Sequence, residues 1–404
     1  MKKYDLCIAG ACASGLAAAV SAKRAHPGYR IAMLEKLPRI GKKILVTGNG
    51  RCNLTNLNAS PEDYNNPGFA AECFKKYPPR DVVSFFESLG LITFTDEAGR
   101  VYPRSNTASS VLDALRFSGE LSEVDILTET PVNSVEKTAD GFIINGEISC
   151  DKLIIATGGK ASPSQGSDGS GYAIAKSLGH TVTRLCPSLV PINSRPDEVK
   201  GLKGIRAGNV RLTLKTDDDS YSSSGELLFT DNGISGICAM ELAKYAENAL
   251  KDRKNAKIVI DFLPDMSEEE LKEYILDVSV MKAGQPLEIM LTGILPKQLG
   301  ISVLKRAGVY LGGANIESFS ESMAENVCLA VKQYSISVTG TKGFENAQVT
   351  AGGIDTDEVN PSSLESKLCK NLYFCGEILD VDGKCGGYNL QWAFASGLLA
   401  GELL

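Results

Sequence analysis

The chain has 404 residues, 43% of them apolar and 23% charged, with a formal net charge of −7 and a pI near 5.2. That length suits two or three domains. The acidic balance argues against a nucleic-acid partner, because affinity for phosphates comes chiefly from Lys and Arg. Eleven cysteines, odd in number and never in a Cys-x-x-Cys pair, point to reduced thiols buried as small core residues in a cytoplasmic protein, and away from a zinc ribbon or a dithiol centre. Two histidines, His26 and His180, all but exclude a multi-His metal site or a Ser-His-Asp triad.

Tyr4–Ala9 reads as a buried strand, followed by the turn Gly10-Ala-Cys12-Ala-Ser14-Gly15, an alanine-rich helix, and a second strand Arg30–Leu34 that ends in Glu35. This is the strand–turn–helix–strand–acid order of a Rossmann unit. The first glycine permits the sharp turn, the last lets helix and sheet approach, and the helix N-terminus offers N–H groups to a pyrophosphate. Glu35, twenty residues after Gly15, is placed for ribose hydroxyls. Cys12 stands where the middle glycine belongs, which is tolerable if its side chain turns away. Met1-Lys-Lys and the apolar run to Val20 also resemble a signal peptide, but Asp5, Ser14 and two glycines break the run. Nothing elsewhere reaches the ~18 uninterrupted apolar residues of a membrane span, so no membrane partner is expected.

Farther along, Phe69–Lys76 and Arg80–Leu89 read as helices, Ile92–Tyr102 as a hairpin, Ala108–Glu120 as a helix, and Val132–Lys137 and Gly141–Asn145 as strands. The apolar run from Lys152 ends at Ala156-Thr157-Gly158-Gly159, the carboxyl end of a buried strand, where doubly wound sheets bind ligands. Gly166-Ser-Asp-Gly-Ser-Gly171 leads into a helix over Ala173–Gly179. Between 188 and 350 the character changes: Val210–Lys215, Glu226–Thr230 and Lys257–Phe262 suggest antiparallel strands, with a polar turn at Asp217–Ser224. Helices follow over roughly 267–333, with strand-like composition over Val327–Thr339. The glycine motifs resume at Gln348 and end with Leu372–Glu377 and Gly386-Gly-Tyr-Asn-Leu-Gln391. The pattern implies an α/β fold: a nucleotide domain split between both termini (1–187 and 350–404), an inserted antiparallel β domain (188–262 and 327–349) and a helical subdomain (263–326).

Gly41 to Asn53, Gly225-Glu-Leu-Leu-Phe-Thr-Asp-Asn-Gly-Ile-Ser-Gly236, Thr350-Ala-Gly-Gly353, Leu364-Glu-Ser-Lys367, Gly376-Glu377 and Gly386–Gln391, together with the turn at 10–15, resemble the BaiN-like, aminoacetone-oxidase-like bacterial flavoproteins. These are related to the wider fumarate-reductase-type flavoproteins. The resemblance covers nearly the whole chain. It implies non-covalent FAD on a split Rossmann-like domain with an inserted β-barrel-like domain and a helical subdomain. Gly10, Ala13, Ser14 and Gly15 would hold the pyrophosphate, and Glu35, with Lys36 beside it, the adenosine ribose. Lys43, Asn49, Gly50, Arg51, Cys52 and Asn53 would line the flavin side, and Val132 would offer backbone to adenine. Ala156, Thr157 and Gly158 would face the nucleotide, and Gly376, Glu377, Gly387, Asn389 and Leu390 would contact ribityl and isoalloxazine. The acidic balance sets tRNA-modifying flavoproteins aside, and two histidines make fumarate-reductase chemistry doubtful.

No second strand–glycine turn–helix unit for a nicotinamide nucleotide is visible, so an NAD(P)H donor would dock transiently over the flavin. Tyr388 is the first candidate proton donor, with a packing tyrosine as the equal alternative. Arg51 can bind a substrate carboxylate or polarise a carbonyl, although pairing with a cofactor phosphate suits it better. Cys52 and Cys385 lack a neighbouring base and read as inert. Asp380 and Asp382 make a poor metal site and read as loop-orienting, so no metal is expected. The activity that the resemblance implies is reduction of a conjugated enone of steroid or bile-acid type. The alternatives are oxidation of an amine by oxygen, and FAD binding without turnover. Leu189, Ile192, Leu228, Ile234 and Met240 serve equally as a substrate cleft or as core.

Overall fold

The computed structural model describes residues 1–317 and 319–404, which form two compact units, 1–187 with 347–404, and 188–346. In the first unit, Lys2–Ala9 (β1) pairs in parallel with Ile31–Leu34 (β2) on one side and with Ile148–Ile155 on the other. Asp125–Leu127 extends the sheet beyond β2, also in parallel. The far edge of Ile148–Ile155 is shared. Its first half takes the antiparallel strand Phe142–Ile144, which in turn pairs with Val135–Lys137, and its second half takes Leu372–Phe374 in parallel. Leu153, Ile154 and Ile155 are fully buried, as a strand covered on both faces requires. The C-terminal stretch of chain thus delivers its strand beside the one that ends in Ala156-Thr157-Gly158.

The alanine-rich helix Ala13–Ala25 (α1) buries every residue from Ala13 to Ala22. Its small side chains admit the C-terminal helix, Tyr388–Glu402, at very close range. A Cβ on Gly397 would lie 2.3 Å from the Ser14 carbonyl oxygen, and one on Gly401 2.2 Å from that of Ala18. Ser21 Oγ donates to Leu398 O at 2.8 Å across the same seam. Helices Pro67–Lys76 and Pro79–Ser88 begin with proline, whose missing N–H costs nothing in the first turn.

The second unit holds a seven-stranded sheet whose long hairpin, Arg206–Thr216 with Ser220–Thr230, is paired by Ala256–Asp261. Several features differ from the sequence expectation. Ser220–Ser224, read as turn, is strand: its residues pair with Arg211–Lys215 and alternate more and less exposed, so serine serves on the open face. Ile237–Lys251 is a helix the sequence reading passed over, with Cys238, Ala239, Leu242, Ala243, Ala246 and Ala249 on its buried side. Helix Glu321–Lys332 runs through the stretch expected to be strand from Val327, and only Tyr334–Ser337 is extended. Its β-branched residues, Val327 and Val331, are core-facing helix positions four apart. Helix Ala108–Arg116 also stops short of Glu120. Ile192 and Ile234 face each other across a ladder and are fully buried, which makes them core.

Candidate active site

The turn after β1 is built by contact. Gly10 has φ +104°, and a Cβ there would lie 2.5 Å from Ala156 O. One on Gly15 would lie 1.9 Å from Gly10 O. Cys12 adopts φ −121° and ψ −157°, an extended conformation open to any residue. Its thiol faces the backbone N–H groups of Ala13, Ile44 and Lys43, and burial pushes its pKa up. Glu35, 8% exposed, accepts from Ala11 N at 3.0 Å and from Leu37 N at 2.9 Å. Its carboxylate is thereby fixed beside the turn, each oxygen keeping lone-pair capacity for a further donor. Lys36 forms an ion pair with Asp168 at 2.7 Å, which joins the acid-tipped strand to the loop that starts helix Ser170–Ser177.

The loop 41–53 returns over this turn. Gly41 N donates to Ala11 O at 2.7 Å, and Ile44 is buried as its anchor. Gly48, Asn49, Gly50 and Cys52 all have positive φ, between 56° and 80°, which is why glycine and asparagine crowd here. Arg51 lies over the Tyr102 ring at 4.6 Å, with Nε donating to Gly48 O at 3.3 Å. Its guanidinium is therefore held by its own loop. Cys52 is fully buried, its thiol pushed up to about 12 chiefly by that burial.

Gly376, at φ +78°, would bring a Cβ to 2.4 Å from Ser14 Oγ. Its N–H donates to Ser396 Oγ at 2.9 Å, and its oxygen accepts from Trp392 Nε1 at 3.1 Å. Glu377 follows, paired with Lys43 Nζ at 2.8 Å. Gly387 starts the C-terminal helix at φ +104°, where a Cβ would lie 2.6 Å from Thr55 backbone atoms. Tyr388 O accepts from Tyr64 OH at 2.7 Å, and Leu390 packs half-buried against the core. The Asn389 side chain is committed to its own loop, accepting from Gly383 N and donating to the carbonyls of Gly383 and Lys384. The side chain thus braces that loop. Val132 lies half-buried between the strands Asp125–Leu127 and Val135–Lys137.

Three buried polar atoms border these turns without a partner: Asn53 Oδ1, Thr157 Oγ1 and Ser167 Oγ. Asn53 Oδ1 lies 2.9 Å from where a Cβ on Gly387 would be, and Ser167 Oγ 3.0 Å from one on Gly158. An unpaired buried polar atom costs about 1–3 kcal/mol, so several of them beside glycine turns fit a polar ligand such as a dinucleotide. The sequence reading missed Thr350 as a connector. Its Oγ1 accepts from Lys160 N and Ala161 N, while its own N–H donates to Glu377. Asp380 accepts from Asn65 Nδ2 and Thr183 Oγ1, a loop-bracing role. Among the described residues no three His, Cys, Asp or Glu gather as metal ligands, and no helix is long and apolar enough to cross a membrane.

A mostly parallel sheet, a glycine turn opening a helix, and an acid ending the next strand define an α/β protein of the Rossmann type. The chain belongs to the HI0933-like protein Rossmann domain family, which matches residues 4–403. It is 39% identical over 403 residues to a protein of Clostridium scindens named 3-dehydro-bile acid delta(4,6)-reductase, covering 98% of this chain and 97% of that one. Two proteins named ribosomal RNA dihydrouridine synthase also match. That of Escherichia coli is 29% identical, over 98% of this chain and 96% of its own length. That of Haemophilus influenzae is 30% identical, over 96% and 95%. The chain is an oxidoreductase.

Proposed function

We propose that the chain is an FAD enzyme that reduces a carbon–carbon double bond conjugated with a carbonyl, on a 3-oxo steroid of bile-acid type, with NAD(P)H as electron donor. The observation that carries this reading is the 39% identity to a bile-acid reductase over a match that spans nearly both chains. Bound FAD would supply the hydride. The chain's own residues would do the rest. Gly10 to Gly15 and α1 would receive the pyrophosphate, Glu35 the ribose, and the loop 41–53 with Gly376 and Glu377 the flavin side. A proton donor must complete the addition across the double bond, and Tyr388 and Arg51 are the candidates the sequence offers.

The dihydrouridine synthase relatives support the same chemistry on a different substrate, since the uracil double bond is also conjugated with a carbonyl. The small molecule is favoured by the higher identity and by the net charge of −7, which disfavours phosphate-rich RNA. Nine of the eleven thiols are buried, which suits a reducing bacterial cytoplasm.

The test is an anaerobic titration of the purified protein. Its visible flavin band should bleach with NADH or NADPH and return on adding a 3-oxo-4,6-diene bile acid, with the steroid gaining two hydrogens. A band that bleaches but returns only with uridine-containing RNA would move the reading to RNA. A band untouched by either nicotinamide and bleached by an amine would move it to amine oxidation.

A further inference from the structure

Lys43 was expected only to line the flavin side, but its ammonium stands where three of the glycine segments meet. Its own N–H faces the Cys12 thiol in the β1–α1 turn. Its Nζ donates to Ala161 O at 3.2 Å, just past the Gly158-Gly159 turn, and to Glu377 Oε2 at 2.8 Å, just past Gly376. Both side chains are largely enclosed, 18% exposed for Lys43 and 20% for Glu377. Two of the ammonium's three donors are committed in this way, which leaves one for a ligand. Glu377 is itself fixed, because its other oxygen accepts from Thr350 N at 2.8 Å, and Thr350 Oγ1 is tied to Lys160 N and Ala161 N. By contrast, Arg51 is exposed and stacked on Tyr102.

We propose that Lys43 is the cation that offsets the negative charge gained by the flavin on reduction, and that Glu377 is a positioning residue that holds it and tempers its charge. This rests on the FAD reading above. The physical reason is that a charge acts more strongly in a partly enclosed, low-dielectric cleft than in water. A neighbouring carboxylate cancels part of that effect while fixing the ammonium's place.

The two residues therefore predict opposite outcomes. The readout is the midpoint potential of bound FAD, measured by equilibration with redox dyes, together with FAD affinity by fluorescence. K43M should lower the potential by at least a tenfold change in the reduction equilibrium, about 30 mV for a two-electron couple. K43R should stay near the native value. E377Q should raise the potential, because it removes the countercharge and leaves the ammonium. If the pair merely closes the loop, both K43M and E377Q shift the same way or weaken FAD binding with no change in potential, and the proposal falls. Should K43M fail to hold FAD, the sign of the E377Q shift decides alone. Failure of the native protein to bind FAD would overturn the cofactor reading instead.

Discussion

Ser366 Oγ and His180 Nε2 are 2.8 Å apart inside the first unit, and the other ring nitrogen of His180 lies 3.1 Å from Glu358 Oε2. The Ser–His–Glu order looks like a hydrolytic triad, but the serine is saturated. Its oxygen already accepts from Leu368 N at 3.0 Å and Cys369 N at 2.8 Å. With its proton given to Nε2 it has no lone pair left for attack. The chain of bonds is a brace between the end of helix Ser170–Ser177 and the segment leading into Leu372–Phe374.

That brace is sensitive to acid. Burial lowers the His180 pKa, against the opposing pull of Glu358. Burial alone would raise the Glu358 carboxyl, but hydrogen bonds from Thr181 and the charge and contact of His180 hold it below its usual value. Since His180 is harder to protonate folded than unfolded, the unfolded chain takes the proton first as pH falls below about 6.5. The stability from the neutral ring is complete above that pH and is lost as pH falls toward the folded value. Protonated Nε2 would also point a third donor at a serine already accepting two. Thermal melting between pH 8 and 5 should fall more steeply for the native protein than for H180Q, whose amide cannot titrate. Equal slopes would remove His180 from the account.

The seam between α1 and the C-terminal helix sets a steric prediction. Alanine normally improves a helix by about 1 kcal/mol over glycine. At Gly397 and Gly401 the new methyl would meet carbonyl oxygens at 2.3 and 2.2 Å, and overpacking of that kind costs about 1–3 kcal/mol. G397A and G401A should therefore be destabilised in denaturant titrations. G68A, where a Cβ meets nothing within 4 Å, should be neutral or up to about 1 kcal/mol more stable. Stabilisation by alanine at all three sites would mean that the helices move apart freely.

Glu35 is tied to Ala11 N and Leu37 N by its two oxygens, so the isosteric amide is not neutral there. In E35Q one of the two N–H groups must face an NH2 group, which leaves a buried donor unsatisfied at a cost of about 1–3 kcal/mol. Melting of the FAD-free protein should fall accordingly, and, if Glu35 receives the ribose as proposed, FAD affinity should fall further with the loss of that oxygen. An E35Q protein as stable as the native one would show that the two backbone bonds carry little.

The first Rossmann unit was legible because its signal is local: a buried strand, two glycines whose Cβ atoms would collide with backbone, and an acid at a fixed interval. The loop 41–53 was legible for a similar reason, since positive φ at five positions leaves its mark in three glycines and an asparagine. What sequence reading missed was non-local or compositionally quiet. Helix Ile237–Lys251 buries mostly alanine, which marks a core face less plainly than large apolar residues do. Ser220–Ser224 is polar because one face of its strand is open. Thr350 and the His180–Ser366 pair acquire their bridging roles from partners 27 to 190 residues away, a distance no motif spacing encodes.

Cys12, the departure from the glycine pattern, should prove harmless to cofactor binding. Its extended backbone needs no glycine, and its thiol faces backbone N–H groups of the 41–44 loop. C12A should hold FAD within about threefold of the native affinity, since a change of that size is less than 1 kcal/mol. C12G should bind equally well but melt slightly lower, because glycine loses more backbone freedom on folding, roughly 0.5–1 kcal/mol. Burial also raises the thiol pKa, so alkylation of Cys12 at pH 8 should be slow in the folded protein and fast in denaturant. A large gain in FAD affinity for C12G would show instead that the side chain crowds the pyrophosphate, and that the turn is strained by the residue it carries.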